Sequence, residues 1–226
     1  MALSANQLVY NLIELASSGS NPNEFRISEE NVLFWINEVG GMLKAQEIAK
    51  KHDISDSWIQ TLGCVELEQK DISDCCLVPI GCYGLKSIKQ LPSAIEVDAI
   101  LYYLSVTGLD GTTISKLNRY SQKYKKYSKY TGKNKGWFIK DNYLYIINDK
   151  VLKYVTVTGL FEDPSELSNF VDCSGESCWT MDSPYPISQK LVAQMNDIIL
   201  KTKIIPFMQF KPDNTNDSSN QPKTEP

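Results

Sequence analysis

The positive charge of this sequence is concentrated in one short stretch. Residues 119–137 (RYSQKYKKYSKYTGKNKGW), the basic segment, hold seven Lys and Arg, five aromatic residues and no acid. The whole chain has 23 Lys and Arg and 27 Asp and Glu, so 16 cations face 27 acids outside the segment, a balance of −11. Nucleic-acid phosphates or an acidic protein surface would neutralise such a segment. Its cations are Arg119, Lys123, Lys125, Lys126, Lys129, Lys133 and Lys135.

The tyrosines of the basic segment have helical spacing. Tyr120, Tyr124, Tyr127 and Tyr130 would share one face of a helix, with the lysines around the other faces. One interpretation is a packed tyrosine stripe with solvated lysines. The other is that the lysines neutralise phosphates or an acidic partner, with lysine as a mobile point charge suited to weak backbone contacts. A small cytoplasmic protein that binds single-stranded nucleic acid through residues 119–137 is therefore one hypothesis.

Residue patterns of catalysis are missing from the sequence. His52 is the single histidine and lies in a polar junction, so HExxH cannot form and a Ser-His-Asp set could be built only around it. The run TGKNKGW lacks the order of a phosphate-binding P-loop. We therefore expect no catalytic residue and no cofactor, and that the protein is not an enzyme.

The six cysteines lack the paired spacing of a zinc site. They lie at positions 64, 75, 76, 82, 173 and 178. No window approaches 18 consecutive apolar residues, and the N-terminus lacks the pattern of a signal peptide. We therefore expect no metal and no membrane contact, and a soluble protein made in a cytoplasm. In that reducing compartment the cysteines are interpreted as small buried apolar residues rather than disulfides.

Helices are predicted at the N-terminus. The first follows Ser4 as N-cap, and the second follows Ser28 over residues 29–51, with Gly40-Gly41 marking a close approach or a kink. A short third helix is predicted within residues 54–63. The apolar positions of the first helix are Leu8, Leu12, Leu15 and Ala16. Those of the second are Val32, Trp35, Ile36, Val39, Leu43 and Ile48.

Strands are predicted in the middle of the chain. Residues 64–71 alternate like a half-buried strand, and residues 99–117 read as two strands joined at Gly108–Gly111. A hairpin is predicted between strands 143–147 and 151–158. Pro164 can begin a short helix, and Pro186 or Ser188 a last one. The apolar face of that last helix is predicted at Leu191, Met195, Ile198, Ile199 and Thr202.

The order of these elements predicts an α+β protein. Three N-terminal helices and a returning C-terminal helix would form a small bundle, with an inserted, mostly antiparallel β domain and an extended C-terminal tail. The expected boundaries are 1–63 for the first part of the bundle, 64–183 for the β domain, 184–204 for the returning helix and 205–226 for an extended or disordered docking tail.

The C-terminal tail begins with an apolar run that carries no charge. The run is IIPFMQF, residues 204–210, and the residues after it are too polar to order themselves. Because an apolar run is unfavourable on the surface of a monomer, we expect it to dock on a partner. The expected docking residues are Ile204, Ile205, Phe207, Met208 and Phe210.

The ordered series of segments resembles a family of phage proteins. The similar segments are ENVLFWINEVGGMLKAQ, LKSIKQLPSAI, YTGKNKGWFIKDNYLYIIND, VTVTGLFEDPSEL and SPYPISQKLV, which together span most of residues 25–205. They resemble the head–tail connector (adaptor) ring proteins of short-tailed phages, the group of tail tubular protein A, and above all the ring proteins of crAss-like phages. One departure is Gly40-Gly41, where family members often carry an arginine, so an inter-subunit salt bridge there is in question.

The resemblance implies a structural protein of the virion, at the interface of head and tail, assembled in the host cytoplasm. It implies a dodecameric ring beneath the portal protein, in contact with other ring or tail proteins, through which genome DNA passes with transient, non-specific contact. A closed ring needs two complementary faces on each subunit. The basic segment could meet acids of the next subunit, such as Glu29, Glu30, Glu66 or Glu68, or could face DNA; we favour the partner surface.

Overall fold

The computed structural model describes residues 3–17, 27–51, 53–71, 83–118, 130 and 134–206. The helices are α1 (Ala5–Ser17), α2 (Glu29–Lys51) and α3 (Gln189–Ile199), and α3 continues as a π-helical segment, Leu200–Ile204. Short 3₁₀ segments lie at Asp56–Trp58 and Pro164–Asn169. The strands are β1 (Gln60–Asp71), β2 (Tyr83–Ser87), β3 (Glu96–Val97), β4 (Ile100–Leu101), β5 (Tyr103–Gly108), β6 (Thr113–Lys116), β7 (Gly136–Lys140), β8 (Tyr143–Ile147) and β9 (Tyr154–Gly159).

The two N-terminal helices begin where the sequence predicts. Ser4 and Gln7 form a reciprocal capping box: the Gln7 N–H donates to Ser4 Oγ at 3.2 Å, and the Ser4 N–H donates to Gln7 Oε1 at 3.0 Å. At α2 the Asn31 N–H donates to Ser28 Oγ at 3.3 Å. The buried positions of α1 are confirmed except at Leu15, which is exposed.

The third predicted helix was wrong. One 3₁₀ turn, Asp56–Trp58, stands in its place, and β1 begins at Gln60. Gln60 and Thr61 pair with Gly159 and Thr158 of β9. This long-range pairing overrides a local helical pattern that could offer only a single amphipathic turn.

The strands close into a barrel in the order β1-β2-β8-β7-β6-β5-β9, and β3 and β4 pair separately. Neighbouring strands of the barrel are antiparallel except β6 and β7, which are parallel. The predicted turn between β5 and β6 is confirmed. Asp110 Oδ1 accepts from the Thr112 N–H at 3.0 Å, and Gly111 has a φ of 80°.

The predicted hairpin between residues 143–147 and 151–158 was wrong in its pairing. Both strands exist, but β8 pairs with β2 and β7, while β9 pairs with β1 and β5. The hairpin of this region is β7–β8, across Asp141 and Asn142 with φ values of 53° and 59°. Two successive positive φ angles match the two-residue turn that suits the twist of paired strands.

One apolar core joins the barrel to the helices. Tyr185 precedes α3 in the sequence. Its hydroxyl donates to one of two acceptors on α2, the Ile36 carbonyl at 3.2 Å or Asn37 Oδ1 at 3.0 Å. The returning helix α3 packs against α2, with Leu191, Met195 and Ile199 buried and the predicted Thr202 exposed. The α+β class is therefore confirmed, while the domain boundaries stay a prediction.

A disulfide corrects the expectation that all cysteines are reduced apolar residues. Cys64 and Cys173 are bonded, with Cα atoms 5.2 Å apart and a sequence separation of 109. Cys64 lies in an irregularity of β1, with a φ of 44°. Cys178 is free and half-buried, and burial raises the pKa of its thiol. Cys75, Cys76 and Cys82 lie outside the described residues.

Candidate interaction surfaces

The described structure contains one of the seven predicted cations of the basic segment. Lys135 Nζ lies 2.5 Å from Asp149 Oδ2, and the Asp149 side chain is only 3% exposed. Burial acts to raise the pKa of Asp149. The bond to Lys135 and the N–H groups of Val151 and Leu152 outweigh burial and hold that pKa below its usual range. The other cations lie outside the described residues: Arg119, Lys123, Lys125, Lys126, Lys129 and Lys133.

Both ends of the basic segment are anchored at one place on the barrel. The parallel pairing of β6 with β7 sets Ser115 opposite Gly136 and Lys116 opposite Trp137. The Leu117 N–H donates to the Trp137 carbonyl at 2.8 Å. The chain therefore leaves the barrel after β6 and returns to it in β7 at neighbouring positions.

Lys116 supports the anchor rather than adding a free charge. Its Nζ donates to the Leu101 carbonyl at 3.2 Å and the Tyr103 carbonyl at 3.1 Å, and it lies 5.4 Å from the centre of a Trp137 ring. Burial lowers the pKa of this amine. The Trp137 Nε1–H donates in turn to the Ile114 carbonyl at 3.0 Å, which ties β7 to β6.

A second apolar cluster lies beside the anchor, on the outer face of β7 and β8. Phe138 stacks on Tyr145 with ring centres 5.2 Å apart, and Ile147 is buried with them. Leu117, at the start of the connection, packs against this cluster. Since Trp137 and Ile146 point into the main core, strand alternation assigns this cluster to the opposite face of the sheet.

The predicted docking residues at the C-terminus divide into three groups. Ile204 is 1% exposed and belongs to the chain's own core, so its expected availability to a partner is corrected: the π-helical segment turns it inward. Ile205 is 45% exposed, and its contact with a partner stays a prediction. Phe207, Met208 and Phe210 lie outside the described residues.

A groove beside α2 was missed by the sequence analysis. It has a volume of about 370 Å³, and its apolar residues Phe34 and Met42 are 62% and 42% exposed. The signal that could have revealed it is a second apolar line on α2, at positions 34, 41, 42 and 45, off the main stripe. The lining is Phe34, Asn37, Glu38, Gly41, Met42, Ala45, Ile95, Glu96, Glu162 and Asp163.

The rim of this α2 groove is acidic. Glu38 forms a salt bridge with Lys203, with 2.8 Å between Glu38 Oε2 and Lys203 Nζ. Asp163 Oδ1 accepts a hydrogen bond from Asn37 Nδ2 at 2.7 Å. Glu96 and Glu162 are exposed. The α2 groove therefore combines an apolar floor with four carboxylates, a surface suited to a ligand that is both cationic and apolar.

A buried lysine lies close to the α2 groove. Lys44 is fully buried, and its Nζ donates to the Phe161 carbonyl at 3.2 Å. Burial lowers the pKa of Lys44 to about 8, against the opposing attraction of Asp163 and Glu162. These two carboxylates therefore have a structural role as well as facing the groove.

The described residues include neither a cluster of metal ligands nor a membrane-spanning helix. Across the described ranges, from 3–17 to 134–206, no cluster of three or more His, Cys, Asp or Glu could hold a metal ion. Within the same part of the chain, no helix is both long and apolar enough to cross a bilayer. His52 lies outside the described residues.

Comparison with known proteins identifies the class. A model of the crAss-like ring protein family described as phage tail ring protein 2 matches residues 7–222. No curated protein matches the chain. The match defines a structural component of a phage virion that assembles with other tail components. The chain belongs to the phage tail ring protein 2 family, which confirms the resemblance to crAss-like ring proteins.

Proposed function

We propose that the protein forms a closed dodecameric ring that connects the portal protein of the phage head to the tail. Genome DNA passes through this ring during packaging and ejection. The ring contacts other ring or tail proteins on its far side, assembles in the host cytoplasm, and makes or breaks no covalent bond. Family membership supports the coarser part of this proposal, a structural role in a tail ring.

The observation that carries the proposal is the segregation of charge on one subunit. Seven cations belong to a segment anchored between β6 and β7, while the rest of the chain has a balance of −11. A cyclic ring repeats a heterologous interface, which needs two different and complementary faces on each copy. The basic segment supplies one face, and acidic surface elsewhere supplies the other.

Exposed acids are available for that second face in several places. Glu29 and Glu30 are exposed in the first turn of α2, and Glu66 and Glu68 are exposed on β1. Any of these sites would attract lysines of the next subunit, with an attraction that weakens as salt is added. The remaining acidic surface suits a channel, because it repels phosphates and limits DNA to transient, non-specific contact.

The C-terminal run supports contact with a further protein. Ile205 is exposed at the end of the π-helical segment, and the apolar residues Phe207, Met208 and Phe210 follow it in the sequence. We assign this run to the portal or to another ring protein, since burying it would remove apolar area from water.

Native mass spectrometry of the chain with its portal tests the proposed function. We expect a complex whose mass corresponds to twelve copies on the portal, even where the chain alone stays monomeric. A chain that remains monomeric and does not bind the portal would exclude the connector ring.

A second candidate is binding of single-stranded nucleic acid by the basic segment. The observation that favours it is the composition of the segment, in which tyrosines that can stack on bases alternate with lysines that can neutralise phosphates. A stable monomer that binds oligonucleotides with a steep salt dependence would support this candidate over the ring.

A further inference from the structure

We propose that the α2 groove of one subunit receives the Tyr/Lys part of the basic segment, residues 119–130, of the adjacent subunit. The inference rests on the proposed ring and names the acidic surface that the basic segment contacts. The acidic contact surface of the proposed ring is thereby narrowed from any exposed acid to the α2 groove.

The chemistry of the α2 groove matches this part of the segment. The segment alternates tyrosines with lysines, and the groove sets apolar Phe34 and Met42 beside acidic Glu96 and Glu162. Tyrosine rings can cover the apolar side chains while lysines meet the carboxylates. The groove suits this ligand better than the apolar pocket beside Glu66 on β1. The lining of that pocket includes Lys89 and only two acids, whereas the α2 groove is lined by four carboxylates and no lysine.

The openness of the α2 groove indicates that another chain fills it. In the single chain Phe34 is 62% exposed and Met42 is 42% exposed. An apolar floor of this kind is covered when subunits associate. The facing carboxylates select a cationic partner, and the residues with the densest positive charge in this chain are those of the basic segment.

Reversing the charges on the two sides provides the test. The groove variant carries Glu96→Lys and Glu162→Lys, and the segment variant carries Lys125→Glu and Lys126→Glu. Each variant alone sets like charges against each other, so we expect at least a tenfold loss in the yield of rings on the portal. A chain with all four substitutions should return to within about threefold of the wild-type yield.

Mixing the two single-site variants identifies which chain supplies the segment. In an equimolar mixture, copies that alternate around an even-numbered ring present opposite charges at each contact, so we expect the yield to recover. If the segment instead filled the groove of its own chain, the four-substitution chain would assemble and the mixture would not. That outcome would overturn the proposal.

Two controls separate electrostatics from folding. Glu14→Lys with Glu176→Lys makes the same change in net charge at exposed positions outside the α2 groove, and we expect it to leave the yield within about threefold of wild type. Met42→Trp fills the α2 groove without changing charge, and we expect at least a tenfold loss. Thermal unfolding of each variant establishes whether it is folded. If Glu162→Lys unfolds the groove variant, the ring yield of the Met42→Trp variant tests the proposal instead.

The outcomes also distinguish the inference from the proposed function. Wild-type rings on the portal, together with normal assembly of the folded groove variant and of Met42→Trp, would overturn the inference and leave the ring intact. Failure of the wild-type chain to assemble would overturn both. Loss of assembly in the Glu14→Lys and Glu176→Lys control equal to that in the groove variant would show that net charge, and not the α2 groove, is responsible.

Discussion

The hydroxyl oxygen of Tyr185 lies 2.9 Å from the point that a Cβ on Gly40 would occupy. The hydroxyl cannot easily retreat, because Tyr185 is buried and bonded to Ile36 and Asn37 of the same helix. Because Gly40 has no side chain, α2 can lie close to Tyr185, which precedes α3 in the sequence. Of the two interpretations of the glycine pair, a close approach is confirmed at this position.

Substitutions at the two glycines should have opposite effects on stability. Gly40→Ala forces the Tyr185 hydroxyl from its position, and we expect it to lower the free energy of unfolding by roughly 1–3 kcal/mol. At Gly41 the nearest atom to a new Cβ is the Glu162 carbonyl oxygen at 3.6 Å, an ordinary contact. Gly41→Ala should raise that free energy by up to about 1 kcal/mol through helix propensity. Urea unfolding of the two variants measures this, and equal changes of the same sign would contradict it.

The buried amine of Lys44 should make stability rise with pH above neutrality. Its pKa is about 8 in the folded chain and 10.5 when free, so between these values the unfolded chain binds more protons. Below pH 8 the buried amine is charged, and the full cost of burying that charge lowers the free energy of unfolding. As the pH rises, the folded chain releases this proton first, so the cost decreases and the free energy of unfolding increases. We expect a gain of roughly 2 kcal/mol from pH 7 to 9.5. Lys44→Met should lose most of this gain, whereas a variant with the wild-type pH dependence would show that Lys44 is not responsible.

The disulfide should contribute measurably to stability. It closes a loop with a sequence separation of 109, and crosslinks of this length restrict the unfolded chain by about 3–5 kcal/mol. We expect Cys64→Ser with Cys173→Ser to lower the free energy of unfolding by this order, and reductant to do the same to the wild type. Cys178→Ser is the matched control, with a change below about 1 kcal/mol. Unfolding that is indifferent to reductant would show that the bond does not form in solution.

Asp149 should stabilise the turn after β8 and the end of the basic segment. Its Oδ1 accepts from the Val151 and Leu152 N–H groups at 2.8 and 3.2 Å, and its Oδ2 faces Lys135. Asp149→Ala leaves the two N–H groups without this acceptor, and we expect a loss of about 1–3 kcal/mol. Asp149→Asn keeps an acceptor and should lose less.

The pH dependence of Asp149 has a defined sign. The folded pKa lies below that of a free aspartate, so its contribution is complete above about pH 4 and is lost as pH falls through the folded pKa. Unfolding midpoints of wild type and Asp149→Asn should therefore converge as the pH is lowered below 4. A difference that stays constant or grows under acid would contradict this assignment.

The helices were predictable where the deciding interactions are local. Ser4 and Ser28 accept from N–H groups three residues away, so both caps could be found from spacing alone. The predictions of the third helix and of the 143–158 hairpin were wrong because these residues pair with strands that are distant in the sequence. Gln60, for example, pairs with Gly159. No local pattern contains such partners.

The interaction surfaces were predictable only in part. The basic segment could be located from the sequence alone, because its charges can be counted without knowledge of the fold. The α2 groove unites α2 with Ile95 and Glu162, which only the tertiary structure brings together. The disulfide between Cys64 and Cys173 was missed for the same reason.

Electron cryomicroscopy of purified virions, focused on the junction of portal and tail, tests the central claim most directly. We predict a closed ring of twelve copies of this chain between portal and tail, surrounding the DNA channel, with each basic segment in contact with the next copy. A junction without this chain, or a chain present only as separate monomers elsewhere in the particle, would contradict the account.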